Sequence, residues 1–119
     1  MSATEKQEVI GISVMKGNYE LTEKVNDLLD ESSLDKPFEI FHDYHFGGYA
    51  KHPPELIQFM NETWQHHQLV TDIVYTAKTF YATKQMIISN TIPKGSNVLM
   101  IHSGGLQGNR SLPDNMLLF

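Results

Sequence analysis

Val98-Leu99-Met100-Ile101-His102-Ser103-Gly104-Gly105-Leu106-Gln107-Gly108 is the stretch on which the fold turns. Four apolar residues run unbroken, a polar pair follows, and then three glycines fall within five residues. A short apolar run bounded by turn residues reads as a strand buried on both faces, as inside a parallel sheet. Glycines directly after it let the chain turn sharply and leave room for close approach. In open α/β sheets, ligands bind beyond the carboxyl ends of the strands, which is where His102, Ser103 and Gly104 would stand. Taken alone, the plainer reading is a strand followed by a tight turn.

Working outward, the rest of the chain supplies partners for that strand. Val9-Ile10-Gly11-Ile12-Ser13-Val14-Met15 is rich in β-branched residues and predicts a strand. Residues 1–7 before it are a polar lead-in, and Lys16-Gly17-Asn18 ends it. From Tyr19 to about Asp30, Leu21, Val25, Leu28 and Leu29 follow the i, i+4, i+7, i+8 spacing of an amphipathic helix. Ser32 to Pro37 reads as a loop. Phe38 to Tyr44 alternates and predicts a second strand, with the glycine-bearing loop Phe46-Gly47-Gly48-Tyr49-Ala50-Lys51 at its carboxyl end. Pro53 and Pro54 suit a helix start, with Glu55 favourable in the first turn. Leu56, Phe59, Met60, Thr63 and Trp64 give that helix a packing face. Thr76 is placed to cap a third helix from Ala77 to about Ile88, with Ala77, Phe80, Tyr81 and Ile88 inward. The connector Asn90–Asn97 leads into the last strand.

Strands alternating with helices predict an α/β fold with a mainly parallel sheet and right-handed crossovers. Lys16-Gly17, Tyr44 to Lys51 and His102 to Gln107 then converge on one edge.

A length of 119 residues suits one domain, burying about 65% of its unfolded surface. Cysteine is absent, which fits a reducing cytoplasm. No apolar run nears the ~20 residues of a membrane span, and the first residues lack a signal-peptide core. The net charge is −5 and Arg110 is the one arginine, so there is no basic patch for nucleic acid. The six histidines do not form a metal pattern. On a strand, His42 and His45 would face opposite ways, while His66 and His67 lie about 100° apart on a helix. The Gly104–Gly108 run does not match the dinucleotide fingerprint. Tyr49 beside a glycine and Tyr75 at a helix entrance are placed to stack on a planar ligand or to trade a proton. Each, standing alone, is also an ordinary packing tyrosine.

Four motifs in order carry a resemblance: Ile10 to Gly17, Asp43 to Lys51, Val74-Tyr75-Thr76-Ala77-Lys78, and Ile101 to Arg110. Together they resemble the pyridoxal-phosphate enzymes grouped as 1-aminocyclopropane-1-carboxylate deaminases and D-cysteine desulfhydrases. The resemblance runs from Val9 to Arg110. It implies a three-layer α/β unit, part of the large domain of a type II (tryptophan synthase β-like) fold. Residues 1–119 would be the carboxyl-terminal portion of that cofactor-binding domain. The lysine that binds the cofactor and the Gly-Thr-Gly-Gly phosphate loop would lie in the part of the longer family proteins that this chain does not cover. Lys51 and Lys78 belong to other motifs.

By the same resemblance, Tyr49 corresponds to the tyrosine facing the substrate. Tyr75 corresponds to the active-site tyrosine near the cofactor ring, with a nucleophilic or proton-transfer role. Thr76 stands where true aminocyclopropane deaminases carry a glutamate against the pyridine nitrogen. A neutral hydroxyl cannot stabilise a protonated ring nitrogen as a carboxylate does. That departure favours desulfhydrase-like β-elimination over ring opening. Ser103 falls at a position that is leucine in the deaminases and usually threonine in the desulfhydrases, where a hydroxyl can hydrogen-bond that nitrogen. Gly104 and Gly105 shape the same cofactor loop. The implied parent is a cytoplasmic, homo-oligomeric lyase or hydrolase acting on a small amino acid through pyridoxal 5'-phosphate. The chain alone is expected to be inactive. The competing expectation is a free-standing α/β binding or assembly module.

Overall fold

In the computed structural model, residues 7–30 and 38–119 are described; the lead-in 1–6 and the loop 32–37 lie outside them. The elements are β1 (Val9–Ile12), α1 (Leu21–Leu28), β2 (Phe38–Phe41), α2 (Pro54–His67) and α3 (Thr76–Ile88), followed by a 3-10 helix, Leu106–Ser111. β1 and β2 pair in parallel, Val9 with Phe38 through Ile12 with Phe41. One further bond, Ser13 N–H to the Phe41 carbonyl at 2.9 Å, closes the ladder. The expected α/β class and parallel pairing are therefore present.

The third strand is not. Val98 to Ile101 forms no regular element and pairs with no strand among the described residues. It is also open to solvent, with Leu99 78% exposed. Apolar composition favours a strand only where a neighbour completes the ladder and covers the faces. Among the described residues neither a ladder partner nor a covering helix is at hand, so the expected buried strand is corrected to an exposed, irregular segment.

The core lies elsewhere, between α2, α3 and the chain on either side of them. Leu56, Met60, Ile73, Val74, Ala77 and Leu112 form its buried centre. Pro54 at the start of α2 fits the fixed proline φ, and Gln68 ends the helix in the left-handed conformation, its N–H bonding Trp64 O. Leu56, Phe59, Met60 and Thr63 are buried as the spacing predicts. Phe59 meets Phe80 and Tyr81 at ring-centroid distances of 5.8 and 5.2 Å, locking α2 to α3. The chain end is fastened by Asn61, whose side chain donates to the Met116 carbonyl and accepts from Leu118 N–H.

Two inward expectations fail at helix ends. Leu28 is 87% exposed, because its neighbour Leu29 takes the half-buried side and adjacent helical residues point about 100° apart. Ile88 is 63% exposed, on the last turn of α3 beyond the α2 contact. No helix among the described residues is long and apolar enough to cross a membrane.

Candidate functional site

The site is built around the entrance to α3. Asp72 is fully buried, and its carboxylate gathers the first turn. Oδ2 accepts from Val74 and Tyr75 N–H at 2.8 and 3.1 Å, and Oδ1 accepts from Thr76 N–H at 2.8 Å. The Thr76 hydroxyl donates to Oδ1 at 2.8 Å and accepts from Asp72 N–H at 2.7 Å. The expectation that Thr76 caps the helix is thus corrected: Tyr75 holds the cap position, Thr76 is the first helical residue, and the Asp72 carboxylate accepts its N–H and those of the two residues before it. A carboxylate with two acceptor oxygens can satisfy more of the free N–H groups of a first turn than one hydroxyl can.

This knot leaves Tyr75 at the surface, 48% exposed. Its ring lies 6.3 Å from that of Tyr49, edge to face. The hydrogen bond between the two hydroxyls, then burial and the Tyr49 and Asp72 charges, raise the Tyr75 phenol above its ordinary range. A contact that holds the neutral phenol makes it lose its proton less readily than a free one.

Tyr49 is carried by a loop that reverses twice. Gly48 N–H bonds the His45 carbonyl and Lys51 N–H bonds the Gly48 carbonyl, both at 3.1 Å. Gly48 sits at φ 133°, a conformation that side chains rarely adopt, and lies beside Lys16. The ends of β1 and β2 therefore do converge, as expected. From α3, the fully buried Lys78 reaches the same loop, its Nζ donating to the carbonyls of His45 at 2.7 Å and Gly48 at 2.8 Å.

The segment after Ile101 is tied to the chain leading into α3. Gly104 N–H donates to His102 Nδ1 at 3.1 Å, so Nε2 carries the ring proton and donates to the Val70 carbonyl at 2.8 Å. Asn109 accepts from Ile73 N–H at 2.8 Å and donates to the Thr71 carbonyl at 2.9 Å. Gly108 is pressed so close that a Cβ there would lie 2.9 Å from Val74 Cγ2. Ser103 and Gly105 are exposed and Gly104 half-buried on this loop.

Of the sequence-predicted residues, Tyr49 and Tyr75 are brought into contact. Thr76 is adjacent in sequence but 2% exposed, with its hydroxyl engaged by Asp72. Ser103, Gly104 and Gly105 lie on a separate loop docked through His102. Two cavities are lined by neither tyrosine of the pair: one by His52, Ile57, Asn61 and Met116, the other by Tyr44, His45, Gly47 and Tyr81, on the near end of the loop that carries Tyr49. Sequence reasoning missed Asp72, Lys78 and Asn109. An aspartate just ahead of a helix start was a readable capping signal. A lysine next to Ala77 and four residues before Ala82 on the inward face was a readable anomaly. Nothing in the sequence pointed to Asn109.

No family model matches the chain, and no solved structure matches it. Curated proteins do. One from Pyrococcus horikoshii, named "Putative 1-aminocyclopropane-1-carboxylate deaminase", is 29% identical over 113 residues, 91% of this chain and 34% of its own length. Proteins of the same name from Pyrococcus abyssi and Thermotoga maritima are each 29% identical, over 106 and 107 residues, covering 84% of this chain. The chain spans about a third of the length of the curated relatives it matches. The resemblance carried by the four motifs therefore extends over nearly the whole chain.

Proposed function

We propose that this chain is the carboxyl-terminal part of a pyridoxal-phosphate-dependent enzyme of the 1-aminocyclopropane-1-carboxylate deaminase and D-cysteine desulfhydrase type. Its contribution to the active site would be the Tyr49–Tyr75 pair. The observation behind this reading is that two tyrosines 26 positions apart meet, half exposed, where the glycine-bearing loop after β2 reaches the entrance of α3. Relatives that are about three times longer carry the deaminase name.

The two adjoining, half-exposed phenol rings suit the face of a flat aromatic cofactor. The pair offers two phenols to solvent, and Ser103 offers an exposed hydroxyl on the docked loop. Thr76 turns its hydroxyl inward to Asp72, which leaves Ser103 as the hydroxyl for the ring nitrogen. Lys78 has its amine committed to two carbonyls and is not offered to a cofactor aldehyde. When bound, pyridoxal phosphate supplies the electron sink for the reaction. This chain's own share is a proton. Two phenols side by side, at ring centroids 6.3 Å apart and each about half exposed, can hold a proton and hand it to a bound amino acid. A hydroxyl in place of the glutamate favours β-elimination from a small amino acid over ring opening.

Co-expression with the amino-terminal two thirds of the Pyrococcus horikoshii relative tests this. Hydrogen sulfide should be released from D-cysteine by the complex and lost with Tyr75→Phe. Full release by the Tyr75→Phe, Tyr49→Phe double variant would sink the reading.

A second reading, a free-standing binding or assembly module, is favoured by the exposed apolar run Val98–Ile101.

A further inference from the structure

We propose that Lys78 is the positioning residue of the tyrosine pair, stapling together the two turns that hold Tyr49 against Tyr75. The inference rests on reading that pair as the working site, and it adds a residue that touches neither ring.

The geometry is specific. The loop makes two successive turns, closed by Gly48 N–H to the His45 carbonyl and by Lys51 N–H to the Gly48 carbonyl. Tyr49 sits inside the second of them. Lys78 Nζ donates to both of those carbonyls, at 2.7 and 2.8 Å. One side chain thus fixes each turn at its acceptor. It reaches across 33 and 30 residues to do so, from the first turn of the helix that Tyr75 opens. Tyr75 is set by Asp72 and Tyr49 by Lys78, so the two phenols are placed from one helix end.

A cation is not an ordinary choice for a fully buried position. Charge pairing does not account for it: the ammonium bonds carbonyls, and Asp72, the nearby carboxylate, has its oxygens turned to the backbone N–H groups of Val74, Tyr75 and Thr76. An apolar residue of similar length could fill the space. Only a long donor can hold two carbonyls at once while remaining dry. Four left-handed residues, Phe46, Gly47, Gly48 and Ala50, crowd this loop. Backbone in that region is costly for Phe and Ala and persists only where surroundings enforce it.

Hydrogen exchange on the unaltered chain is the first test. The Gly48 and Lys51 amides should be as protected as those of α3, because opening the loop requires breaking the staple. Exchange at free-loop rates beside a protected α3 would overturn the proposal. The second test replaces Lys78 by Met. Those two amides should then exchange about tenfold faster or more, the effect of losing hydrogen bonds to a charged donor, and ring-to-ring NMR contacts between Tyr49 and Tyr75 should vanish. Tyr75, followed with ring-labelled tyrosine, should titrate back toward the ordinary range, as it should in Tyr49→Phe. Adding Lys78→Met to Tyr49→Phe should change that titration no further. A Tyr75 that still titrates as high as in the unaltered chain, in a folded Lys78→Met variant, would refute the role. These readouts need no cofactor or turnover, so an intact staple with no hydrogen sulfide release would count against the enzyme reading alone.

Discussion

Asn109 clasps the main chain of Ile73 across 36 residues: its Oδ1 accepts the Ile73 N–H at 2.8 Å while its Nδ2 donates to the Thr71 carbonyl. This amide is the join between the glycine loop and the chain that delivers Tyr75. Replacing it by Ala leaves a buried N–H and a buried carbonyl without partners. Asn109→Ala should lower the unfolding free energy by about 1–3 kcal/mol. Urea denaturation reads the loss, and the Ile73 amide should exchange faster than in the parent.

Asp72→Asn should be nearly as damaging as Asp72→Ala. Both carboxylate oxygens accept from backbone N–H groups, so an amide would turn an NH2 against one set of donors whichever way it flips. Loss of the cap alone is worth about 1–2 kcal/mol. Circular dichroism at 222 nm during urea titration would report it. An Asn variant as stable as the parent would mean the carboxylate is not what holds the turn.

Stability should rise with pH through the range where Lys78 titrates. Burial lowers its ammonium from 10.5 to about 8, and the Asp72 carboxylate offsets part of that. Between those two values the unfolded chain still holds a proton that the folded chain has released. The unfolded state binds more protons, so unfolding becomes harder as pH increases. The urea midpoint should climb between about pH 8 and 10, and the climb should disappear in Lys78→Met. A neutral amine keeps two N–H groups, enough for both carbonyls, so the staple survives the titration.

Gly108→Ala should destabilise the chain by about 1–3 kcal/mol, the range for overpacking a filled site. The new Cβ would lie 2.9 Å from Val74 Cγ2 and 3.3 Å from Asp72 Oδ2. Differential scanning calorimetry would show a lowered Tm.

Exposed apolar residues on an unpaired segment seek partners. Leu99 and Ile101 are 78% and 54% exposed. The chain should self-associate in light scattering at high concentration, and Leu99→Lys with Ile101→Lys should return it to a monomer. A parent that stays monomeric would show this surface to be tolerated in water.

The helices were legible because their periodicity is local: Leu56, Phe59, Met60 and Thr63 announce the buried face of α2 without reference to anything else. β1 and β2 were legible for the same reason, aided by alternation and β-branching. Val98 to Ile101 misled because a strand is a property of two chains side by side, and composition describes only one. Tyr49 and Tyr75 were named from glycine and helix-entrance context and from the family resemblance, and they do meet. What places them stayed hidden. Lys78 and Asn109 act across 30 or more residues, on main-chain atoms that every sequence shares.

The knot at Asp72 closes between residues no more than four apart, whereas the Asn109 clasp spans 36. Short closures form cheaply and early, and long ones wait for the rest of the chain. The turn should therefore assemble together with α3, with the glycine loop arriving last and peeling away first. A protease given brief access would nick the chain near Gly104 and Gly105 while the tyrosine-bearing helix stayed whole.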